Sequence, residues 1–310
     1  MNAPTLDITV CMATYRRLPQ LELLLADLAA QTLPPRQIVV VDNDAVASAR
    51  PVVEAHRAAL QARGIALDYA VQPEKSISLT RNMTVQRARS AWLAFIDDDE
   101  RAPPQWLALL SDSAHRFGAD GVLAPVLPVL PPHAPAWLRR GHFYEWVRFP
   151  TGTELPGNAL RLGNALLSMA CLNRLRPLFD PVYGLTGGED GDMLLRLRQT
   201  GARLIWCDEA AVTEPVTDER MRVDWLLRRA LRGGQDFALH FLRGKLNGPP
   251  GAVRILGFYG RAVLQMVMAG ALALMLWPLG RHHAVHWLAR AYANYGKLSL
   301  LWGARHHEYA

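Results

Sequence analysis

The chain has 310 residues, 50% hydrophobic and 20% charged, which suits one full core plus a smaller accessory segment and excludes a disordered chain. Its net charge of +6 is uneven: beyond Asp236, Arg243, Lys245, Arg254, Arg261, Arg281, Arg290, Lys297 and Arg305 stand against the single acid Glu308. With the basicity confined to this tail, no nucleic-acid partner is expected.

In chain order, Ile8 to Val10 reads as a short strand, and Leu18, Leu21, Leu25 and Leu28 follow at the spacing of an amphipathic helix that Pro34 and Pro35 end. Ile38 to Val41 is a continuous β-branched run, the pattern of a buried parallel strand, and it opens into Asp42, Asn43 and Asp44. A helix is predicted over 47–62, a strand over 67–71, a helix capped by Ser78, and a strand over 92–96 that runs into Asp97, Asp98 and Asp99. The proline- and aromatic-rich stretch 125–163 has no period and reads as loops. Strands over 166–172 and 203–207 and a helix over 192–199, closed by Gly201, complete the pattern. The alternation predicts an α/β fold with a doubly wound, Rossmann-like, mostly parallel sheet flanked by helices, whose ligands bind at the carboxyl ends of the strands. Both acidic clusters fall at such ends.

Asp97 and Asp99 are one residue apart, so strand alternation puts both on one side, where hard oxygen ligands suit Mg²⁺ or Mn²⁺, while Asp98 points away. Such an ion would neutralise the diphosphate of a sugar nucleotide as it leaves. Asp42 is suited to accept an N–H from a pyrimidine base, or else to cap a turn; Thr14, Tyr15 and Arg16 end the first strand, where a nucleotide would lie. Glu189, Asp190 and Asp192 open a helix after Gly187 and Gly188, whose backbone freedom allows an acceptor to approach closely. A carboxylate there is either a general base for an acceptor hydroxyl or a favourable helix-start charge.

Taken in order, Val10-Cys11-Met12-Ala13-Thr14-Tyr15-Arg16-Arg17, Val40-Val41-Asp42-Asn43-Asp44, Thr80-Arg81-Asn82, Phe95-Ile96-Asp97-Asp98-Asp99-Glu100 and Gly187-Gly188-Glu189-Asp190 resemble the family-2 glycosyltransferases of GT-A fold. Their branch for succinoglycan-type exopolysaccharides is the most similar. The resemblance covers about residues 7–240. It implies an inverting, metal-dependent transfer from a nucleotide sugar, a UDP-sugar, to a hydroxyl of a glycan or lipid-linked acceptor. It also implies a donor site of Thr14, Tyr15, Arg16, Asp42, Asn43, Arg81, Asp97 and Asp98, with Asp99 as main metal ligand beside Asp97. Asp190 is then the base, with Glu189 and Asp192 supporting it, and Trp146, Asn164, Gly188 and Asp192 lie on the acceptor side. Glu214 departs from the pattern: relatives carry a histidine near that position, and a glutamate there is still a candidate metal ligand.

Residues 262–280 carry no charge, and 284–303 form a second apolar stretch broken by Arg290 and Lys297. The tail 241–310 is therefore expected to bind an anionic membrane surface, by a spanning helix or an interfacial one. Cys11, Cys171 and Cys207 suggest neither disulfides nor a zinc site, and the N-terminus lacks an export pattern, so the expected location is the cytoplasmic face of the inner membrane. Two other readings remain at this point: a sugar-phosphate nucleotidyltransferase, which would want a glycine-rich loop after the first strand, and a non-catalytic membrane-anchored sugar-binding protein.

Overall fold

A computed structural model describes residues 6–246 and 248–304; Arg305 and Glu308 of the charged tail lie outside them. The chain divides into two compact units. One contains residues to 127 and 146–214, the other 128–145 and 215 onward. The boundary expected after residue 240 falls inside a helix, because that helix packs with the two that follow it.

In the first unit the elements are β1 (Ile8–Thr14), α1 (Leu18–Ala29), β2 (Gln37–Asp42), α2 (Arg50–Ala62), β3 (Ala66–Val71), α3 (Ile77–Arg87), β4 (Trp92–Ile96), α4 (Trp106–Phe117) and β5 (Gly121–Leu123). β6 (Val126–Val129) follows, and after α5 (Ala136–Gly141) of the second unit come β7 (Asn164–Ser168), α6 (Met169–Leu172), α7 (Glu189–Gln199), β8 (Leu204–Trp206) and β9 (Val212–Pro215). Seven strands form one sheet in the order β3-β2-β1-β4-β7-β5-β8, and β6 pairs with β9. All six residues of β2 are buried, which explains its unbroken β-branched run: helices cover both faces of a central parallel strand. Leu21, Leu24, Leu25 and Leu28 of α1 are fully buried in the same core as Val10 and Val40.

The sheet is mostly parallel, as expected; β7 alone runs antiparallel to its neighbours β4 and β5, because the long segment after β5 re-enters from the carboxyl end of β4 and pairs Asn164 with Ile96. Three expectations are corrected. Part of 125–163 is regular, supplying β6 and α5. The cap of α3 is Ser76, whose hydroxyl accepts from the Leu79 N–H at 3.3 Å; Ser78 lies inside the helix and donates to the Asp180 carbonyl. The helix expected over 192–199 starts earlier, at Glu189, because Gly187 and Gly188 take left-handed backbone angles (φ 74° and 92°) that an L-residue would resist.

The second unit is built from α5, α8 (Val223–Leu242), α9 (Ala252–Leu276) and α10 (Arg281–Ser299). Leu138, Met221, Leu226 and Val285 share its core. α8 and α10 cross in close backbone contact, since a Cβ on Gly234 would overlap the Ala293 carbonyl and one on Gly296 the Leu231 carbonyl. Gly233, its neighbour, faces open space. Gly234→Ala should therefore cost about 1–3 kcal/mol by forcing the helices apart, whereas Gly233→Ala should gain about 0.5–1 kcal/mol from helix propensity. Urea unfolding of the two variants checks the opposite signs.

Candidate active site

The acidic run begins where β4 stops. Asp97–Glu100 forms a turn, closed by the Glu100 N–H donating to the Asp97 carbonyl and the Asp97 N–H to Glu100 Oε2, both at 3.1 Å. Strand alternation does not extend past Ile96, so the three aspartates are not sorted by period two. Asp97 turns to Arg81, whose Nη2 lies 3.0 Å from Oδ1. Asp98 and Asp99 share Arg17, at 2.8 and 3.1 Å. The register of β1 on β4 sets Cys11 beside Phe95, so Thr14 projects past the end of β4 and its hydroxyl donates to Asp98 Oδ2 at 2.8 Å.

Arg81 also reaches α7: its Nη1 lies 2.6 Å from Glu189 Oε1. Glu189 is 2% exposed, and its second oxygen is buried with no hydrogen-bond partner. Next to it, Asp190 is partly exposed, and its charge bears on both Asp97 and Glu189. Gly188 holds the left-handed position that starts α7. One chain of charges thus links the β1–α1 loop, the end of β4, α3 and α7 at the carboxyl ends of the central strands β1 and β4.

Asp42 is fully buried: Oδ1 accepts from the Asp44 N–H at 2.9 Å, and Oδ2 accepts from the Ala49 N–H and the Tyr69 hydroxyl, each at 2.8 Å. In this structure it caps the β2–α2 turn. Asn43 clamps the neighbouring loop, donating to the carbonyls of Gln72 and Glu74 and accepting from the Ser76 N–H. Arg16, at φ 56°, pairs with Asp44 through two hydrogen bonds. Tyr15 remains at the rim with the cations of Arg16 and Lys75 each 5.1 Å from its ring centre.

Over residues 9–166 the chain matches Glycosyl transferase family 2. It is 36% identical over 241 residues to the succinoglycan biosynthesis protein ExoM of Rhizobium meliloti (strain 1021), covering 76% of this chain and 75% of that protein. The chain is a family 2 glycosyltransferase. Its fold is that of the GT-A glycosyltransferases. The S. aureus TarS fragment 1–349 bound to UDP superposes with a TM-score of 0.54 at 17% identity, over 96% of this chain and 92% of that one. Mannosyltransferase PcManGT from Pyrobaculum calidifontis, bound to GDP-Man and Mn²⁺, gives 0.59 at 18% identity, over 97% and 88%.

Not every expected residue of this glycosyltransferase is brought to the acidic cluster. Asn164 is 1% exposed, and its amide is used by the Trp106 indole N–H and the carbonyls of Pro125 and Ala210. Asp192 is buried against Arg196 Nε at 2.7 Å and the Tyr183 hydroxyl at 3.3 Å. Both hold the fold together. Trp146 is half exposed, with the Arg161 guanidinium over its ring. Arg17, Tyr69 and Glu100 are the residues that sequence reasoning gave no role. The double arginine after Tyr15 was a visible signal for Arg17; Tyr69 depends on the β2–β3 register and had none.

Among the described residues no three His, Cys, Asp or Glu side chains converge into a metal cage. The donor chemistry nonetheless fits a hard cation. Buried Glu100 is pushed well above the usual carboxylate range, first by desolvation and then by the charges of Asp97, Glu214 and Asp99, a concentration of negative field that a divalent ion would relieve. Such ions are often held by one or two carboxylates and completed by substrate phosphates, so a full protein cage is not required.

Burial raises Asp98 to about 6 and Glu189 to about 7, with Arg81 opposing the rise at Glu189. A carboxyl whose folded value lies above its unfolded value binds its proton more tightly when folded. The stability it contributes is present below the ordinary value of 4.5 and is lost as pH rises through about 7. Glu189→Gln should flatten that decline, seen as a smaller difference between urea midpoints measured on the acid and alkaline sides of this window.

Proposed function

We propose that this enzyme transfers a sugar, with inversion, from a UDP-sugar to a hydroxyl of a glycan or lipid-linked acceptor in surface polysaccharide assembly at the cytoplasmic face of the membrane. The observation that carries this reading is the continuous set Arg17–Asp98/Asp99 and Asp97–Arg81–Glu189, with partly exposed Asp190 beside it. Asp97 and Asp99, with Glu214 close to Glu100, would hold Mn²⁺ or Mg²⁺. When bound, the ion supplies charge neutralisation for the departing nucleoside diphosphate.

The chain's own groups do the rest. Arg17 and Arg81 are the cations at the site, placed to meet phosphate oxygens. Tyr15 offers a ring face at the rim for the nucleoside. Asp42 supports that rim from beneath, and to contact a base it must exchange the Tyr69 hydroxyl for the base N–H. Asp190, not tied in a buried ion pair as Glu189 is, takes the proton from the acceptor hydroxyl as the oxygen attacks the anomeric carbon from the face opposite the leaving diphosphate. Glu189 holds Arg81 from the buried side, at 2.6 Å.

The similarity to a succinoglycan biosynthesis protein supports the polysaccharide setting. The apolar helix Ala252–Leu279, long enough to cross a bilayer by length and composition, supports membrane attachment. A screen of UDP- and GDP-sugars with Mn²⁺ tests the reading through nucleotide release. Release of UDP from one donor, with a product of inverted anomeric configuration, is expected. Pyrophosphate as product would mean nucleotidyl transfer, and binding without turnover would mean no enzyme at all.

A further inference from the structure

Resting on the membrane reading above, we infer that α9 does not cross the bilayer but lies flat in one anionic leaflet, as the outer member of a helical hairpin whose inner member belongs to the protein body. Both ends of α9 are pinned within the same unit. Near its start, Phe258 stacks on Phe241 of α8 with centroids 4.3 Å apart and planes 10° from parallel. At its end a short turn, Trp277–Leu279, and Gly280 lead straight into α10, where the Arg281 guanidinium lies 5.0 Å over Trp137 of α5.

α10 cannot follow α9 into hydrocarbon. It is seated on α8 through the Gly234 and Gly296 backbone contacts, and the buried Gln235 amide donates to Ser299 at 2.8 Å. α10 also carries exposed Arg290 near its middle and buried Asn294, groups that are expensive at the centre of a bilayer. If α9 spanned, the antiparallel helix beside it would be drawn in at the same depth.

The faces of α9 are sorted for a flat position. Its buried side is a row of small residues, Ala262, Ala269 and Ala273. Its outward side is large and apolar over the whole length: Leu256, Val263, Leu264, Val267 and Leu274 recur at three-, four- and seven-residue spacing and are between 46% and 80% exposed. The two charges of the helix, Arg254 and Arg261, are exposed on its flank between the buried row and the apolar face. Arg254 lies 5.7 Å over Phe241, and Arg261 is within electrostatic reach of Lys297 on α10. An interfacial helix is built in this way, with a broad apolar side and its charges displaced from it toward headgroup level.

A lipid leaflet suits this face better than a second copy of the chain. Residues 262–280 offer one hydrogen-bonding chain amide, Gln265, apart from the Trp277 indole, whereas protein interfaces carry about one hydrogen bond per 100–200 Å². Trp277 and Trp302, both exposed, fit the headgroup level, and the excess of basic residues beyond Asp236 favours anionic lipid.

Nitroxide labels at Leu256, Val267 and Leu274 of the full chain, bound to phosphatidylglycerol-containing vesicles, read the depth of each position from oxygen and nickel-chelate relaxation. Lying flat, the three share one depth. If α9 spans, Leu256 and Leu274 differ by about 27 Å along the helix at ~1.5 Å per residue, and the flat position is overturned while membrane attachment stands. Dipolar broadening between labels of separate copies would instead make the face a protein interface and also overturn it. Failure to sediment with these vesicles would remove the membrane reading itself. As a second measure, Gly251→Cys and His283→Cys should both react with a membrane-impermeant maleimide from the outer surface; protection of one of them contradicts the inference.

Discussion

Replacing Asp190 with asparagine is expected to lower kcat by about 10²–10⁴-fold, the usual range for a general base, with nucleotide affinity unchanged. The expectation comes from how α7 begins. Gly187 and Gly188 turn the chain so that the helix starts at Glu189, and the first-turn acids then divide. Glu189 is drawn inward to Arg81, Asp192 is buried on Arg196 and Tyr183, and Asp190 is left partly exposed. Asparagine keeps the shape and the helix start but takes no proton. Single-turnover sugar transfer, compared with nucleotide binding by calorimetry, separates the two effects. A fall in affinity equal to the fall in kcat/KM would assign Asp190 to binding.

Arg81→Met should destabilise the protein by about 3–5 kcal/mol, the cost of leaving one member of a buried ion pair without its partner. Arg81 and Glu189 have side chains only 12% and 3% exposed and stand 2.6 Å apart, with Asp97 on the other arm of the guanidinium. The loss should grow with pH, because Glu189 without its counter-ion escapes by protonation on the acid side. Arg81→Met combined with Glu189→Gln removes the stranded charge and should recover part of the stability without recovering donor binding. Urea unfolding at two pH values, alongside nucleotide titration, reads both. Equal loss at both pH values would mean that the pair acts through packing alone.

The parts of this fold legible in the sequence are those where side-chain pattern and burial coincide. Ile38–Val41 and Trp92–Ile96 read as strands because parallel strands covered on both faces demand such runs, and all but the half-buried Trp92 are buried. That the acidic clusters sit at strand ends followed directly. What each acid does there was less legible. Asp97, Asp98 and Asp99 lie in a turn, where period two no longer holds, and their directions are set by Arg17, Thr14 and Arg81 from 16 to 84 residues away. Asp42 and Asn164 carry the residue types of a binding site, but Tyr69 and Trp106 reach them only through strand register and sheet packing. The reversed direction of β7 was hidden for a similar reason: hydrophobic alternation says that a strand exists, not which way it runs. In the tail, composition gave the apolar helix, while the close crossing of α8 and α10 depends on two glycines 62 residues apart meeting facing backbones.

The central claim is that the acids at the end of β4 bind a metal-complexed nucleotide while Asp190 serves only the acceptor. Calorimetric titration of UDP with and without Mn²⁺ into the wild-type protein, Asp99→Asn and Asp190→Asn tests it most directly. The wild type and Asp190→Asn should bind UDP more tightly when Mn²⁺ is present, and Asp99→Asn should lose that dependence. Metal-dependent binding that survives Asp99→Asn would contradict the account.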